Sequence, residues 1–176
     1  MQLARSHGIT RDPTLMTHAS DGPWYYQQVD LGYNYRMTEL QAALGCTQIA
    51  RLDSFVNTRT ACASNYDSAL ADLPLTLPYQ DEQTRSAWHL YVVQLNDDAP
   101  LTHLECFEAL RADGLGVNLH YIPVHLQPYY RAKGFGPGDF PTSEAYYRRA
   151  ISLPLYSAMS GAQQATVVDV LRKHLS

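Results

Sequence analysis

The chain has 176 residues, 45% of them hydrophobic and 17% charged, with 10 glycines and 10 prolines. That is enough for one core-bearing domain and too apolar for a disordered chain, while no apolar run approaches the roughly 20 residues of a membrane helix. The formal net charge is -4 and the 13 basic residues are scattered, which leaves no stripe to neutralise a phosphate backbone, so neither nucleic acid nor membrane is an expected partner.

The first 37 residues carry Asp12-Pro13, Asp21-Gly22-Pro23 and a Trp24-Tyr25-Tyr26 cluster without a sustained period. They read as an irregular arm that packs on something else. Thr38 and Gln41 have the spacing of a capping box, and Leu40, Leu44, Ile49, Leu52, Val56, Ala63, Tyr66 and Leu70 follow. This spacing predicts one long amphipathic helix over residues 39–72, and hence a division into an arm (1–37) and a domain (38–176).

Pro74 and Pro78 flank a short predicted strand at 75–77, and residues 86–95 read as a central strand buried on both faces. A second capping box, Thr102 to Glu105, opens a helix ending at Asp113-Gly114. A strand over 115–121, a proline-broken loop over 122–128, a short helix near 142–149 and a strand over 151–155 follow. A third box, Ser160 to Gln163, starts the last helix. The fold class is α+β, a small sheet covered by helices.

Several chemistries are disfavoured by the pattern. There is no G-x-S-x-G elbow for a hydrolase. The loop Gly134 to Gly138 is interrupted by Pro137 and reads as a mobile surface turn rather than a dinucleotide fingerprint. Cys46, Cys62 and Cys106 lack zinc spacing and read as small buried hydrophobes in a reducing, cytoplasmic setting, and the N-terminus has no secretory h-region.

Two clusters remain. His120 and His125 stand at a predicted strand end without neighbouring carboxylates, which argues against a metal pair. They are either satisfied structural histidines or contacts to a ligand's hydroxyl and phosphate groups. Asn34 and Arg36 precede the helix start at Thr38. They suit an anion at a helix N-terminus, or else a turn and a carboxylate partner.

Four ordered motifs then carry a resemblance. Residues 5–11 (RSHGITR), 30–38 (DLGYNYRMT) followed by 41–45 (QAALG), 117–130 (VNLHYIPVHLQPYY) and 151–156 (ISLPLY) resemble the DegT/StrS family of PLP-dependent nucleotide-sugar aminotransferases. Within it they look most like the branch acting on UDP-linked sugars in pseudaminic acid synthesis.

The resemblance implies the C-terminal small domain of a fold type I, aspartate aminotransferase-like enzyme. It further implies a missing N-terminal large domain that bears the cofactor lysine upstream of residue 5. The only lysines, Lys133 and Lys173, lie outside any such motif, so no catalytic residue is expected in this chain and the chain alone is expected to be inactive.

By the same resemblance the cofactor is pyridoxal 5′-phosphate, and Asn34, with Arg36 beside it, reaches across a homodimer interface to the cofactor phosphate or the substrate. His120, Tyr121, Ile122 and His125 line the UDP-sugar pocket. Glutamate is the amino donor, and the acceptor is the 4-keto carbon of a 6-deoxysugar destined for a surface glycan. A non-catalytic sugar-nucleotide-binding or dimerisation module, and part of a PLP-dependent sugar dehydratase, are the competing readings.

Overall fold

The computed structural model describes residues 1–176 as two compact units, Met1–Arg51 and Leu52–Ser176.

The first unit is more regular than an arm. A one-turn helix α1 (Gln2–Arg5) leads into β1 (Ile9–Thr10), which pairs antiparallel with β2 (Gln27–Gln28). The stretch after β2 returns along the N-terminus. The His7 amide donates to the Tyr33 carbonyl at 3.0 Å, and the Tyr33 and Tyr35 amides donate to the Ala4 and Arg5 carbonyls at 2.6 and 3.0 Å. Two glycines permit this close approach: a Cβ on Gly8 (φ +70°) would lie 1.8 Å from the Asp30 carbonyl oxygen, and one on Gly32 would lie 2.3 Å from the Gly8 nitrogen.

Helix α2 (Glu39–Ile49) begins at the expected capping box, with Thr38 accepting from the Gln41 amide and Gln41 reaching back to the Thr38 amide. It buries none of its residues, and Leu40 and Leu44 are 85% and 61% exposed. The single helix predicted over 39–72 is therefore two. Past Ile49 the Arg51 amide turns back to Gln48, 3.0 Å away, and α3 (Leu52–Ala69) starts anew. Only α3 has a core to hold it, burying Cys62, Ala63 and Tyr66, so apolar spacing alone did not enforce continuity.

The second unit is an antiparallel three-stranded sheet in the order β3 (Leu75–Thr76), β4 (Tyr91–Leu95), β5 (Ala150–Leu153). Helices α3, α4 (His103–Ala112) and α7 (Gly161–Leu175) close its core around Tyr66, Leu70, Tyr91, Val93, Leu110, Ile151 and Leu171. β4 is central, as expected, but shorter and buried on one face only. Tyr91, Val93 and Leu95 are buried, while Val92 and Gln94 are half-buried, the alternation a pleated strand imposes when helices cover one side. Upstream of β4, Trp88 sits at φ +47°, a conformation that cannot continue the pleat.

The strand expected over 115–121 reduces to one bridge, Asn118 to Ser152. Its start is set by the end of α4. The Gly114 amide (φ +84°) donates to Arg111 and the Leu115 amide to Leu110, both at 3.0 Å, with Leu110 and Leu115 buried together. This is a Schellman termination, reinforced by its apolar contact. Downstream a 3₁₀ turn (Val124–Leu126) and α5 (Pro128–Arg131) occupy the proline-broken stretch, and α6 (Pro141–Tyr147) precedes β5. The boxes at Thr102 and Ser160 form as the spacing predicts. Cys62 and Cys106 are buried as expected; Cys46, on the uncovered α2, is exposed. No helix is long and apolar enough to cross a membrane.

Candidate functional site

The predicted site residues fall into two clusters, one in each unit. In the second unit the cluster is built on β5 and the strand stub beside it. Asn118 exchanges both backbone hydrogen bonds with Ser152, at 3.2 and 2.8 Å, which sets the following residues over the sheet edge. His120 Nδ1 then meets the hydroxyl of Ser152, a buried side chain, at 2.8 Å. Its ring stands edge-on to Tyr121, centroids 4.8 Å apart. With Nδ1 engaged, Nε2 is the nitrogen left for a ligand. Tyr121 and Ile122 are 70% and 49% exposed, an apolar shelf next to the imidazole.

Arg59 and Tyr66 on α3 brace the adjoining motif from behind. Arg59 Nη1 donates to the carbonyls of Trp88 and Leu155 at 2.9 and 3.2 Å, and the Tyr66 hydroxyl donates to Pro154 at 2.9 Å. Burial pushes the Tyr66 phenol well above its ordinary pKa, so it remains a neutral donor.

His125 stands apart from this group. Its Nε2 meets Glu144 Oε1 at 2.9 Å, with both side chains nearly buried, and its ring packs on Phe140 at 4.8 Å. The expectation that no carboxylate serves these histidines is corrected here: a carboxylate on α6, 19 residues along the chain, reaches one of them. Glu144 also accepts from the Gly138 amide at 2.7 Å, and Asp139 accepts from Gly136 at 2.8 Å. The glycine loop, expected to be a mobile turn, is thus tied at two amides. The His125 bond, followed by the Gly138 amide, holds the Glu144 carboxyl below the usual carboxylate range. Val124, His125, Tyr130, Phe135, Phe140 and Ser143 line an aromatic pocket of about 360 Å³.

In the first unit Asn34 pairs with Ser6 through the backbone, and Arg36 Nε donates to the Ser6 hydroxyl at 3.1 Å. Arg36 thus has a hydroxyl partner rather than the carboxylate of the competing turn reading. Both side chains are exposed, so they remain open to an anion. The donor set fits the phosphate end of a pyridoxal phosphate. Lys133 Nζ lies 4.8 Å from the Tyr129 ring centroid, and Lys173 Nζ pairs with Asp113 at 2.6 Å.

Spacing alone did not reveal the supporting partners Ser152, Glu144 and Arg59. Ser152 lay inside a motif that resembled the family, but its partner His120 is 32 residues away.

The structure is a small mixed helix and sheet domain of the kind found in PLP-dependent aminotransferases. The chain belongs to the DegT/DnrJ/EryC1/StrS aminotransferase family, whose profile matches residues 1–172. It is 40% identical over 170 residues to the spore coat polysaccharide biosynthesis protein SpsC of Bacillus subtilis, covering 94% of this chain and 43% of SpsC.

Among solved structures, DesV of S. venezuelae, captured with a ketimine intermediate, superposes with a TM-score of 0.82 at 31% identity, over 98% of this chain and 42% of DesV. Helicobacter pylori PseC, an aminotransferase of pseudoaminic acid biosynthesis, shares the fold at a TM-score of 0.85 and 23% identity, over 99% of this chain and 44% of PseC. The chain thus spans less than half the length of these relatives.

Proposed function

We propose that this chain supplies the small-domain part of a PLP-dependent sugar aminotransferase. That enzyme moves an amino group from glutamate to the 4-keto carbon of a UDP-linked 4-keto-6-deoxy sugar, for a surface glycan of the pseudaminic acid kind. The observation that carries the reading is the fixed imidazole of His120, held at Nδ1 by Ser152 at 2.8 Å beside the exposed Tyr121 and Ile122.

In this role Nε2 of His120 bonds a hydroxyl or phosphoryl oxygen of the substrate, and Tyr121 and Ile122 exclude water from the sugar face. His125 acts one step back, bonded to Glu144 and steadying the segment that bears these contacts. Asn34 and Arg36 take the cofactor phosphate. Bound pyridoxal phosphate supplies the amino-carrying chemistry; the lysine that would hold it comes from outside these clusters, in a large domain preceding residue 1.

The segment 1–37 packs on that large domain, and residues 38–176 act as the small domain. The exposed Leu40 and Leu44 on α2 meet a second copy in a homodimer. Three unpaired cysteines suit work in the reducing cytoplasm.

The test is intact mass after incubation with pyridoxal phosphate and borohydride, with and without a separately expressed large domain of a relative. The chain alone is expected to stay unlabelled, and amination of a UDP-4-keto sugar to require the second piece. One stoichiometric adduct on Lys133 or Lys173 accompanied by amine transfer overturns the reading.

A further inference from the structure

Between the chain leaving β4 and the turn that joins α6 to β5 lies a cavity of about 320 Å³. Backbone bonds fix its frame. The Leu95 amide donates to the Arg149 carbonyl at 2.9 Å, and the Arg148 and Arg149 amides donate to the Glu144 and Tyr146 carbonyls at 3.2 and 3.0 Å. Four charged side chains line it, Asp97, Glu105, Arg148 and Arg149. Arg149 Nη2 and Asp97 Oδ1 neutralise each other at 2.6 Å.

The remaining two charges are opposite, yet they do not meet. The guanidinium of Arg148 makes no hydrogen bond or ion pair. Glu105 spends one oxygen, Oε2, on the hydroxyl and amide of Thr102, at 2.7 and 2.9 Å. These two bonds, the hydroxyl first, hold its carboxyl below the usual carboxylate range. Glu105 is therefore ionised near neutrality, with Oε1 uncommitted.

Two uncharged groups of the lining add a donor and an acceptor. The Thr76 hydroxyl donates to Asn96 Oδ1 at 2.7 Å, which orients the amide and leaves Nδ2 as a free donor. His103 Nε2 donates to the Ala150 carbonyl at 3.0 Å, so Nδ1 of the neutral ring is a free acceptor. The rest of the wall is apolar, from Leu95, Ala99, Pro100 and Leu101.

A cation, an anion, a free donor, a free acceptor and an apolar wall around one cavity are the complement of a molecule that carries a carboxylate, an ammonium and an uncharged side chain. We propose that this cavity binds a free α-amino acid with an uncharged side chain, its carboxylate taken by Arg148 and Asn96 and its ammonium by Glu105 and His103. The inference goes beyond the proposed function, which gives none of these four side chains a role.

Calorimetric titration of the full 176-residue chain with L-valine and L-alanine tests it. Isovalerate, which lacks the ammonium, L-valinamide, which lacks the carboxylate, and L-glutamate, which adds a second carboxylate, are the comparisons. At least one of the two amino acids is expected to bind, about tenfold more tightly than any comparison compound. That affinity should fall about tenfold in Arg148→Gln and severalfold in Glu105→Gln. Glu105→Gln keeps the capping box, because glutamine serves the same place after Thr38. Circular dichroism checks that both variants retain the fold, and Ala99→Leu should block binding by filling the cavity without changing a charge.

No heat from either amino acid overturns the site. So does an affinity that is unchanged in the Arg148→Gln, Glu105→Gln double variant, which would place the ligand elsewhere. Isovalerate or L-valinamide binding as tightly as L-valine overturns the two-charge recognition, and L-glutamate binding as tightly overturns the uncharged side chain.

Discussion

His125 Nε2 and Glu144 Oε1 lie 2.9 Å apart with side chains only 8% and 12% exposed, and the same carboxylate oxygen accepts the Gly138 amide. One carboxylate therefore joins the 3₁₀ turn, the glycine loop and α6. Because the carboxyl's pKa in the folded chain is depressed, its stabilising effect is complete above the unfolded value of about 4.3. That effect is lost as pH falls through the lower folded value. Thermal midpoints of wild type and Glu144→Gln are expected to differ most near neutrality and to converge below about pH 4. A gap that stays constant from pH 7 to pH 3 would mean that the charge contributes nothing.

Ser152 is expected to matter more for binding than for stability. Ser152→Ala removes one buried hydroxyl and frees the His120 ring, at a cost of about 0.5–1.5 kcal/mol. If His120 presents Nε2 to a sugar nucleotide, UDP-sugar affinity should fall severalfold in Ser152→Ala and by at least as much in His120→Ala. Calorimetry on the two variants checks this, and equal affinity in wild type and Ser152→Ala would detach His120 from the substrate role.

The capping boxes allow a cleaner energetic test. Thr102 and Ser160 each accept an N3 amide, from Glu105 and Gln163 at 3.3 and 3.2 Å. Replacement of either by alanine is expected to cost about 1 kcal/mol. The two sites open different helices and share no partner, so the double variant should lose the sum within about 0.5 kcal/mol. Urea denaturation gives both numbers, and a combined loss well short of the sum would reveal coupling through α4 and α7.

These boxes were legible in the sequence because a cap is complete within four residues. The apolar face of α7, the strands around residues 75 and 151 and the Gly114 stop were legible for the same local reason. The break between α2 and α3 was not, since it depends on which half of the predicted helix finds a core. Tertiary partners set the strand ends: Trp88 turns at φ +47° with its carbonyl held by Arg59, 29 residues earlier. In the candidate sites the motif residues were visible, but the groups that orient them were not. Glu144 and Ser152 become partners of His125 and His120 only once α6 and β5 are in place.

Two leucines in helices of opposite circumstance provide the last prediction. Leu171 on α7 is fully buried, whereas Leu44 on α2 is 61% exposed. Leu171→Ala opens a cavity in a core that includes Leu70, Leu110 and Val167, and the expected loss is about 2–5 kcal/mol. Leu44→Ala should change the stability of the isolated chain by no more than about 0.5 kcal/mol. If α2 meets a second copy, Leu44→Asp places a charge in that contact and should shift the mass measured by light scattering toward the monomer, while circular dichroism stays unchanged. A wild-type chain that is already monomeric across a wide concentration range would remove the dimer from the proposal. A large stability loss in Leu44→Ala at monomeric mass would show instead that this face is covered within the chain itself.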